Sequence, residues 1–231
     1  LPKLSEKYSK NSMTEYSEMI RKAIKIAIVF SLPAMFGLLV LAEHIISTLF
    51  QYGNFKITDT LMSSLSLLAY SVGLPAFILM KVLLTGFFSR QDTLTPVKYG
   101  AIAVMFNIAM NLSVVIYYMN KPFQGAHALL ALATSLSAWL QVILLYRRLK
   151  REGVVGDNCL INRDFSKSLL SSIFMSLLLI FLVPELNKWI SYEYYLRGLY
   201  LIIYIVLGAL TYFLSMKIFK TNFRRMIYEN N

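Results

Sequence analysis

Six apolar runs alternate with short polar segments along the chain, and each run is close to the length that crosses a lipid bilayer. They cover about residues 24–48, 61–87, 98–119, 125–146, 167–184 and 196–218. About 20 helical residues cross a hydrocarbon core of roughly 30 Å. Strands of a membrane barrel would alternate in hydrophobicity over about ten residues, a pattern that is absent here. The sequence therefore predicts an all-α integral membrane protein with six transmembrane helices, of which the fifth is short.

The composition indicates that lipid surrounds much of the protein. Hydrophobic residues make up 57% of the 231 residues and charged residues only 15%, whereas about a quarter of a soluble domain is charged. The net charge of +11 comes mainly from residues between the apolar runs, which favours the anionic inner leaflet over nucleic acid as their partner. The single cysteine, Cys159, excludes an internal disulfide. No metal or catalytic motif is present, so we predict neither a cofactor nor an enzyme.

Most of the 23 lysines and arginines fall at the two ends of the chain and in every second loop. By the positive-inside rule, both ends of this chain are expected to be cytoplasmic. Because the chain begins at Leu1, we also expect it to be part of a longer protein. The polar stretches divide it into an N-terminal cytoplasmic segment (1–22), a four-helix bundle (23–146), a basic cytoplasmic loop (147–166) and an appended helix pair with its tail (167–231).

Lys81 lies inside the second apolar run, where a charge is costly and needs a functional reason or an escape route. Arg90 follows nine residues later, so Lys81 lies roughly 13 Å deeper along a helix. Its long side chain could extend toward the inner interface. Alternatively, Lys81 faces a water-filled cavity, where it attracts an anionic substrate or takes part in a charge-pair switch. The residue pattern leaves both interpretations open.

The polar turn after this run contains Arg90, Asp92 and Thr95, with Lys98 just beyond it. We expect Arg90 to complement the carbonyl end of one helix. We expect Thr95 to cap the next helix, with Pro96 in its first turn. A short turn with fixed charges is also a natural intracellular gate.

Asn107 and Asn111 are four residues apart and therefore share one face of the third span. Together with Thr134 in the fourth span, they could offer oxygen atoms to a monovalent cation. Alternatively, the three side chains form hydrogen bonds between the two helices, as polar residues in membranes commonly do.

Three residues are predicted to loosen their helices, namely Pro33 in the first span and Gly73 and Pro75 in the second. Bent helices often line transport paths. Glu43 and His44 lie at the predicted outer end of the first span, where ordinary solvation would account for them. A proton-linked role for His44 is the alternative.

Several segments resemble the lipid II flippase family, MurJ or MviN. The most specific stretch is residues 69–98, which contains AYSVGLPAF from Ala69, KVL from Lys81, FFSRQDT from Phe87 and TPVK from Thr95. Supporting matches are LPKLS at the start of the chain, LFQYG from Leu49 and LATS from Leu132. The resemblance covers most of the chain and is faint after about Arg151.

This resemblance implies a fourteen-span multidrug/oligosaccharidyl-lipid/polysaccharide exporter fold, in which the chain supplies spans nine to fourteen. Residues 23–146 would then belong to the C-terminal transporter lobe. The implied function of the intact protein is to move lipid II, the undecaprenyl-pyrophosphate-linked peptidoglycan precursor, across the bacterial cytoplasmic (inner) membrane by alternating access for cell-wall synthesis. The implied partners are lipid II, membrane lipids and the N-terminal part of the same protein.

The family's motif is matched here at five positions, which would be substrate-path or gate residues: Lys81, Arg90, Asp92, Thr95 and Lys98. The last two helices would form a groove for the lipid tail. Where family members can carry a carboxylate near Asn111, this chain has an amide, which weakens an inherited cation site. Coupling to the membrane potential or to a monovalent cation is a further expectation.

Three other functions fit a polytopic membrane chain. They are a related polysaccharide-lipid or drug exporter, a non-transporting scaffold, and a membrane-embedded transferase. The 69–98 motif argues against the exporter, and a scaffold would tolerate Lys81→Leu. A transferase would need clustered acidic residues, whereas the 12 Asp and Glu residues are scattered.

Overall fold

A computed structural model describes residues 13–119, 125–156 and 163–219 of the chain. Within these ranges the secondary structure is entirely helical, and six of the helices are long and apolar enough to cross a membrane. The helices are α1 (Met13–Phe50), α2 (Ile57–Phe88), α3 (Leu94–Tyr118), α4 (Ala126–Arg151), α5 (Arg163–Leu182), the short α6 (Leu186–Ile190) and α7 (Tyr194–Ile218). The six predicted spans are thus confirmed.

Helix α2 lies at the centre of the bundle, with α1 along one face and α4 along another. Helix α3 packs mainly on α4 and leaves most of its surface uncovered. Helices α5 and α7 pack on each other and on α1, so the last helix pair is attached to the bundle through α1. The core between α1, α2 and α4 consists of aliphatic side chains such as Ile20, Leu83 and Leu145. Their burial fixes which face of each helix points inward.

Gly73 lies at a point of close approach between α2 and α4. A Cβ atom placed on it would lie 2.5 Å from Ser135 Oγ and 2.8 Å from Ser135 Cβ. Ser135 Oγ in turn donates to the Ala69 carbonyl at 2.7 Å. Small residues in membrane helices allow backbones to approach in this way. The structure therefore gives Gly73 a packing role, and its predicted contribution to helix flexibility stays a prediction.

Helix α2 continues without a break through Pro75. Proline lacks the amide hydrogen of a regular helix turn, and inside lipid a carbonyl left without a donor is costly. The carbonyl that loses its donor is that of Ser71, four residues before Pro75, and the Trp139 indole of α4 donates to the neighbouring Val72 carbonyl at 3.0 Å. Pro33 likewise lies inside α1 without ending the helix. Whether Pro33 and Pro75 allow bending stays a prediction.

The helices differ from the predicted runs at their polar ends. Helix α4 continues to Arg151 and α5 begins at Arg163, so basic residues assigned to the 147–166 loop are partly helical. Basic side chains favour the last turn of a helix because they complement its carbonyl end. The fifth span ends at Leu182, and Trp189 lies in the separate helix α6. The opening LPKLS motif, Cys159 and most of the C-terminal tail lie outside the described residues.

Candidate functional site

An apolar groove of about 570 Å³ lies between α1, α5 and α7. Pro33 and Gly37 line it from α1, Leu179 from α5 and Gly208 from α7. Leu74 of α2 also lines the groove and connects it to the central bundle. Gly37 contributes no side-chain bulk and leaves space between the helices, whereas Gly208 allows α7 to pack close to α5, since a Cβ on it would lie 3.2 Å from Leu179 Cδ1. The groove can accommodate a flexible hydrocarbon chain.

The hydroxyl groups of the two tyrosines beside the groove form hydrogen bonds with backbone carbonyl groups. Tyr212 Oη donates to the Val29 carbonyl at 2.7 Å and lies 2.8 Å from Ser168 Oγ. Tyr204 Oη donates to the Leu182 carbonyl at 3.3 Å. These bonds hold α7 against α1 and α5. They also leave the groove walls almost wholly apolar, so the groove suits a lipid tail and offers little to a polar head group.

Helix α6 packs against the end of α1 beyond the groove. Trp189 is fully buried, and its indole donates to Thr48 Oγ1 at 3.1 Å. His44 Nε2 donates to the Pro184 carbonyl at 2.9 Å, and its ring contacts Trp189 edge-on at 4.9 Å. His44 is only 8% exposed. The expectation that solvent accounts for His44 is therefore wrong, because α6 folds back over it.

The Lys81 side chain is exposed on α2 and forms no ion pair within the described part of the chain. Leu74 precedes it by two helical turns, so the two residues share a face of α2 about 10 Å apart. Helices α1 and α2 are antiparallel. At one end of the pair Tyr16 Oη donates to the Gly86 carbonyl, and at the other end Thr60 Oγ1 donates to Gln51. Lys81 is therefore approximately level with the first apolar turns of α1. Lys81 therefore lies nearer the end of the span than its middle.

Arg90 directly follows the end of α2, and its side chain forms an ion pair with Glu152 at the end of α4. Its expected effect on the carbonyl end of α2 stays a prediction. Its Nη1 donates to Glu152 Oε2 at 2.6 Å, and its side chain is only 10% exposed. The guanidinium carbon also lies 5.8 Å from the Tyr16 ring centre and 5.1 Å from that of Phe87. The sequence could not show this partner because Glu152 is 62 residues away along the chain.

Asp92, rather than Thr95, caps the start of α3. Asp92 Oδ1 accepts a hydrogen bond from the Thr95 amide at 3.0 Å. Partial burial favours a higher pKa for the Asp92 carboxyl, but the hydrogen bonds from Thr95 and the charges of Arg90 and Arg148 outweigh it and lower the pKa. Pro96 is buried in the first turn, as expected, and Lys98 is exposed just beyond it.

The cap by Asp92 predicts a specific pH dependence. Because its pKa is lowered on folding, its stabilisation is fully present above the unfolded pKa of about 4 and is lost as pH falls through the folded value. At pH 7 we expect Asp92→Asn to unfold at a lower temperature than wild type. The difference between the two proteins should be smaller at pH 3, as measured by thermal unfolding of the intact protein in detergent. An equal difference at both pH values would contradict this assignment.

Asn107, Asn111 and Thr134 form the hydrogen-bonded cluster that one of the two interpretations described. Asn111 Nδ2 donates to Asn107 Oδ1 at 3.0 Å, and Asn107 Nδ2 donates to Thr134 Oγ1 at 3.4 Å across the α3–α4 contact. Within the described residues, Asn111 Oδ1 is buried without a partner. A small cation needs several oxygen ligands, so these three residues alone do not fit a cation site.

The structure thus places the predicted residues in three separate regions. Lys81 lies on an open face of α2, the charged turn lies beyond the end of that helix, and the asparagine cluster joins α3 to α4. No hydrogen bond or ion pair among the described residues links one region to another. Glu152 and Gly37 were missed as candidate residues, because their importance comes from contacts with distant helices.

Known proteins resemble the chain over nearly all of its length. The family model described as "Lipid II flippase MurJ" matches residues 1–220. A "Probable lipid II flippase MurJ" of Haemophilus influenzae is 35% identical over 204 residues, which cover 88% of this chain and 38% of that protein. A protein of the same name from Vibrio cholerae is 36% identical over 212 residues, which cover 92% of this chain and 39% of that protein.

A solved structure shares the fold. It is described as "Lipid II flippase MurJ, inward closed conformation", and it matches with a TM-score of 0.68 at 24% identity. The match covers 94% of this chain and 41% of the other. The chain therefore spans about two fifths of the length of these proteins. Its six apolar helices and its relatives identify a multi-pass protein of the bacterial inner membrane, and the chain belongs to the MurJ family of lipid II flippases.

Proposed function

We propose that the intact protein containing this chain moves lipid II across the cytoplasmic membrane by alternating access, and that this chain is its C-terminal portion. The observation that carries the proposal is the apolar groove of about 570 Å³ between α1, α5 and α7. Lipid II combines a long isoprenoid tail with a charged pyrophosphate head group. A protein that moves such a molecule needs an apolar surface for the tail beside a hydrated path for the head group.

The groove and the open face of α2 provide these two surfaces next to each other. Leu74 belongs to the groove wall, and Lys81 lies about 10 Å farther along the same helix face. We assign the isoprenoid tail to the groove and the pyrophosphate to the path beside Lys81. A lysine ammonium forms charge-assisted hydrogen bonds with phosphate oxygens. Its position near the end of the span keeps it close to water before the head group arrives.

The charged turn between α2 and α3 serves as an intracellular gate in this proposal. Arg90 and Asp92 are fixed by contacts with neighbouring elements, while Thr95 and Lys98 lie at the start of α3. We assign both ends of the chain to the cytoplasm by the positive-inside rule, so in this proposal the turn and the basic end of α4 face the cytoplasm. The N-terminal part of the same protein supplies the opposite wall of the path.

Transport is proposed to draw on the membrane potential or on a monovalent cation. A charge that moves through the membrane field gains about 2.3 kcal/mol per 100 mV. Because the asparagine cluster leaves only Asn111 Oδ1 unpaired, a cation at this position would need oxygen ligands from elsewhere in the intact protein. Lys81 is an alternative carrier of the moving charge.

The experiment expresses the intact protein in bacteria depleted of their own flippase and measures how much labelled lipid II reaches the outer leaflet. Wild type should restore transport. Lys81→Ala should lower the rate about tenfold or more, because one hydrogen bond to a charged group contributes roughly 1.5–3 kcal/mol. Lys81→Arg should retain most of the rate because it keeps the charge.

Lys217→Ala is the matched control, because Lys217 is exposed in the last turn of α7, away from the proposed path. All variants are compared at equal amounts in the membrane. If wild type moves lipid II and every Lys81 variant moves it equally, Lys81 only extends to the interface. If inserted wild type moves no lipid II, the proposed function is wrong, and an exporter or scaffold becomes the better account.

A further inference from the structure

The chain leaving α4 folds back against the helix bundle. This return segment comprises residues 152–156. Val154 and Val155 are 1% and 2% exposed, and they pack into the core shared by α1, α2 and α4. The Val154 amide donates to the Leu149 carbonyl at 3.0 Å. Gly153 has a φ of +72°, which allows the sharp reversal. The return segment is therefore held in place by burial as well as by backbone geometry.

Glu152, the first residue of the return segment, joins it to the turn between α2 and α3. Its Oε2 accepts from Arg90 Nη1 and its Oε1 accepts from Arg148 Nε, each at 2.6 Å. The two contacts differ in burial, because the Arg90 side chain is 10% exposed and that of Arg148 is 46% exposed. An exposed ion pair contributes little, whereas a buried guanidinium without a counter-charge is strongly destabilising.

Arg90 has few other polar partners. Its Nε and Nη2 atoms are buried and form no hydrogen bond within the described residues. The rings of Tyr16 and Phe87 occupy the space beside the guanidinium, and aromatic faces attract a cation without replacing a carboxylate. Glu152 is therefore the carboxylate that pairs directly with Arg90 in the part of the chain that the structure describes, while Asp92 interacts with Arg90 without an ion pair.

We propose that Glu152 is a positioning residue for the gate: through Arg90 it holds the α2–α3 turn against the end of α4. This inference rests on the proposed function, because the turn is a gate only if the intact protein is a transporter. Loss of the Glu152–Arg90 contact frees the turn.

The test measures the mobility of the turn in the intact protein, independently of transport. Every native cysteine is replaced by serine, and a nitroxide spin label is attached at Thr93, an exposed residue of the turn. We expect Glu152→Gln, which removes the charge and keeps the shape, to increase label mobility about twofold or more as the turn detaches locally. Arg147→Gln removes a positive charge from an exposed position near the same helix end and should leave mobility unchanged.

A second pair of variants separates positioning from general loss of structure. If Glu152 acts through Arg90, the double variant that combines Arg90→Gln with Glu152→Gln should show no more label mobility than either single variant. Glu152→Asp keeps the charge on a shorter side chain and should give intermediate mobility. An immobile label in Glu152→Gln, additive effects in the double variant, or an equal effect of Arg147→Gln would overturn the positioning role.

Transport is then measured on the same variants. If the label responds as expected but wild type moves no lipid II, the positioning role stands and the proposed function fails. If wild type moves lipid II, Glu152→Gln should lower the rate by the same factor as Arg90→Gln. Transport at the wild-type rate in Glu152→Gln, with a mobile label, would show that the position of this turn does not control the path.

Discussion

Gly37→Leu should stop lipid II transport by the intact protein without preventing its insertion. Gly37 lines the apolar groove, and among the described residues a new Cβ would meet only Met175 Cε within 4 Å, at 4.0 Å. The helix can therefore accept a larger residue, whose branched side chain would extend into the space assigned to the lipid tail. We expect at least about a tenfold loss in transport rate, equivalent to ~1.4 kcal/mol, with little change in thermal stability.

Gly198→Leu is the matched control for this prediction. Gly198 lies in the first turns of α7, and a Cβ at that position meets no side chain within 4 Å in the ranges that the structure describes. It does not line the groove, so the same substitution should leave transport near the wild-type rate. Both variants are assayed for lipid II in the outer leaflet at equal membrane levels. Equal transport by Gly37→Leu and wild type would show that the groove does not carry the tail.

Among Gly→Ala substitutions at the glycines that the structure describes, Gly73→Ala should destabilise the bundle most. The new Cβ would lie 2.5 Å from Ser135 Oγ and 2.8 Å from Ser135 Cβ, so α2 and α4 must separate. Overpacking typically costs about 1–3 kcal/mol, and the hydrogen bond from Ser135 to the Ala69 carbonyl is also disturbed. We expect a clearly lower unfolding temperature for the intact protein in detergent.

Gly100→Ala provides the comparison within α3. Among the residues with a described position, a Cβ at Gly100 would contact only Gln141 Nε2, at 3.4 Å, and this flexible side chain can move. Alanine favours a helix over glycine by roughly 0.5–1 kcal/mol, so this variant should match or slightly exceed wild-type stability. A Gly73→Ala protein as stable as Gly100→Ala would mean that the helices are not in close contact at Ser135.

The spans could be predicted from the sequence because lipid imposes a simple requirement. Each helix must satisfy its own backbone hydrogen bonds and present apolar side chains over about 30 Å. The interhelical contact of Asn107 with Thr134 was also among the predicted outcomes, since polar side chains on membrane helices tend to pair. Both results depend on local composition, which the sequence displays directly.

Contacts between distant segments could not be predicted in the same way. Glu152 and Arg90 are 62 residues apart, and His44 is buried only because a segment 140 residues later folds back onto it. The groove combines α1 with α5 and α7, and none of these helices carries a distinctive pattern by itself. The cap of α3 was assigned to Thr95 instead of Asp92 because both residue types accept backbone hydrogen bonds.

The most direct test of the proposed function uses the purified intact protein in vesicles that contain fluorescent lipid II and a membrane potential. A membrane-impermeant quencher added outside reports how quickly labelled head groups cross the bilayer. Wild type should move lipid II well above the rate of protein-free vesicles and should leave labelled phosphatidylethanolamine in place. Lipid II that crosses no faster than in protein-free vesicles, with correctly inserted protein, would contradict the assignment of this chain to a working lipid II flippase.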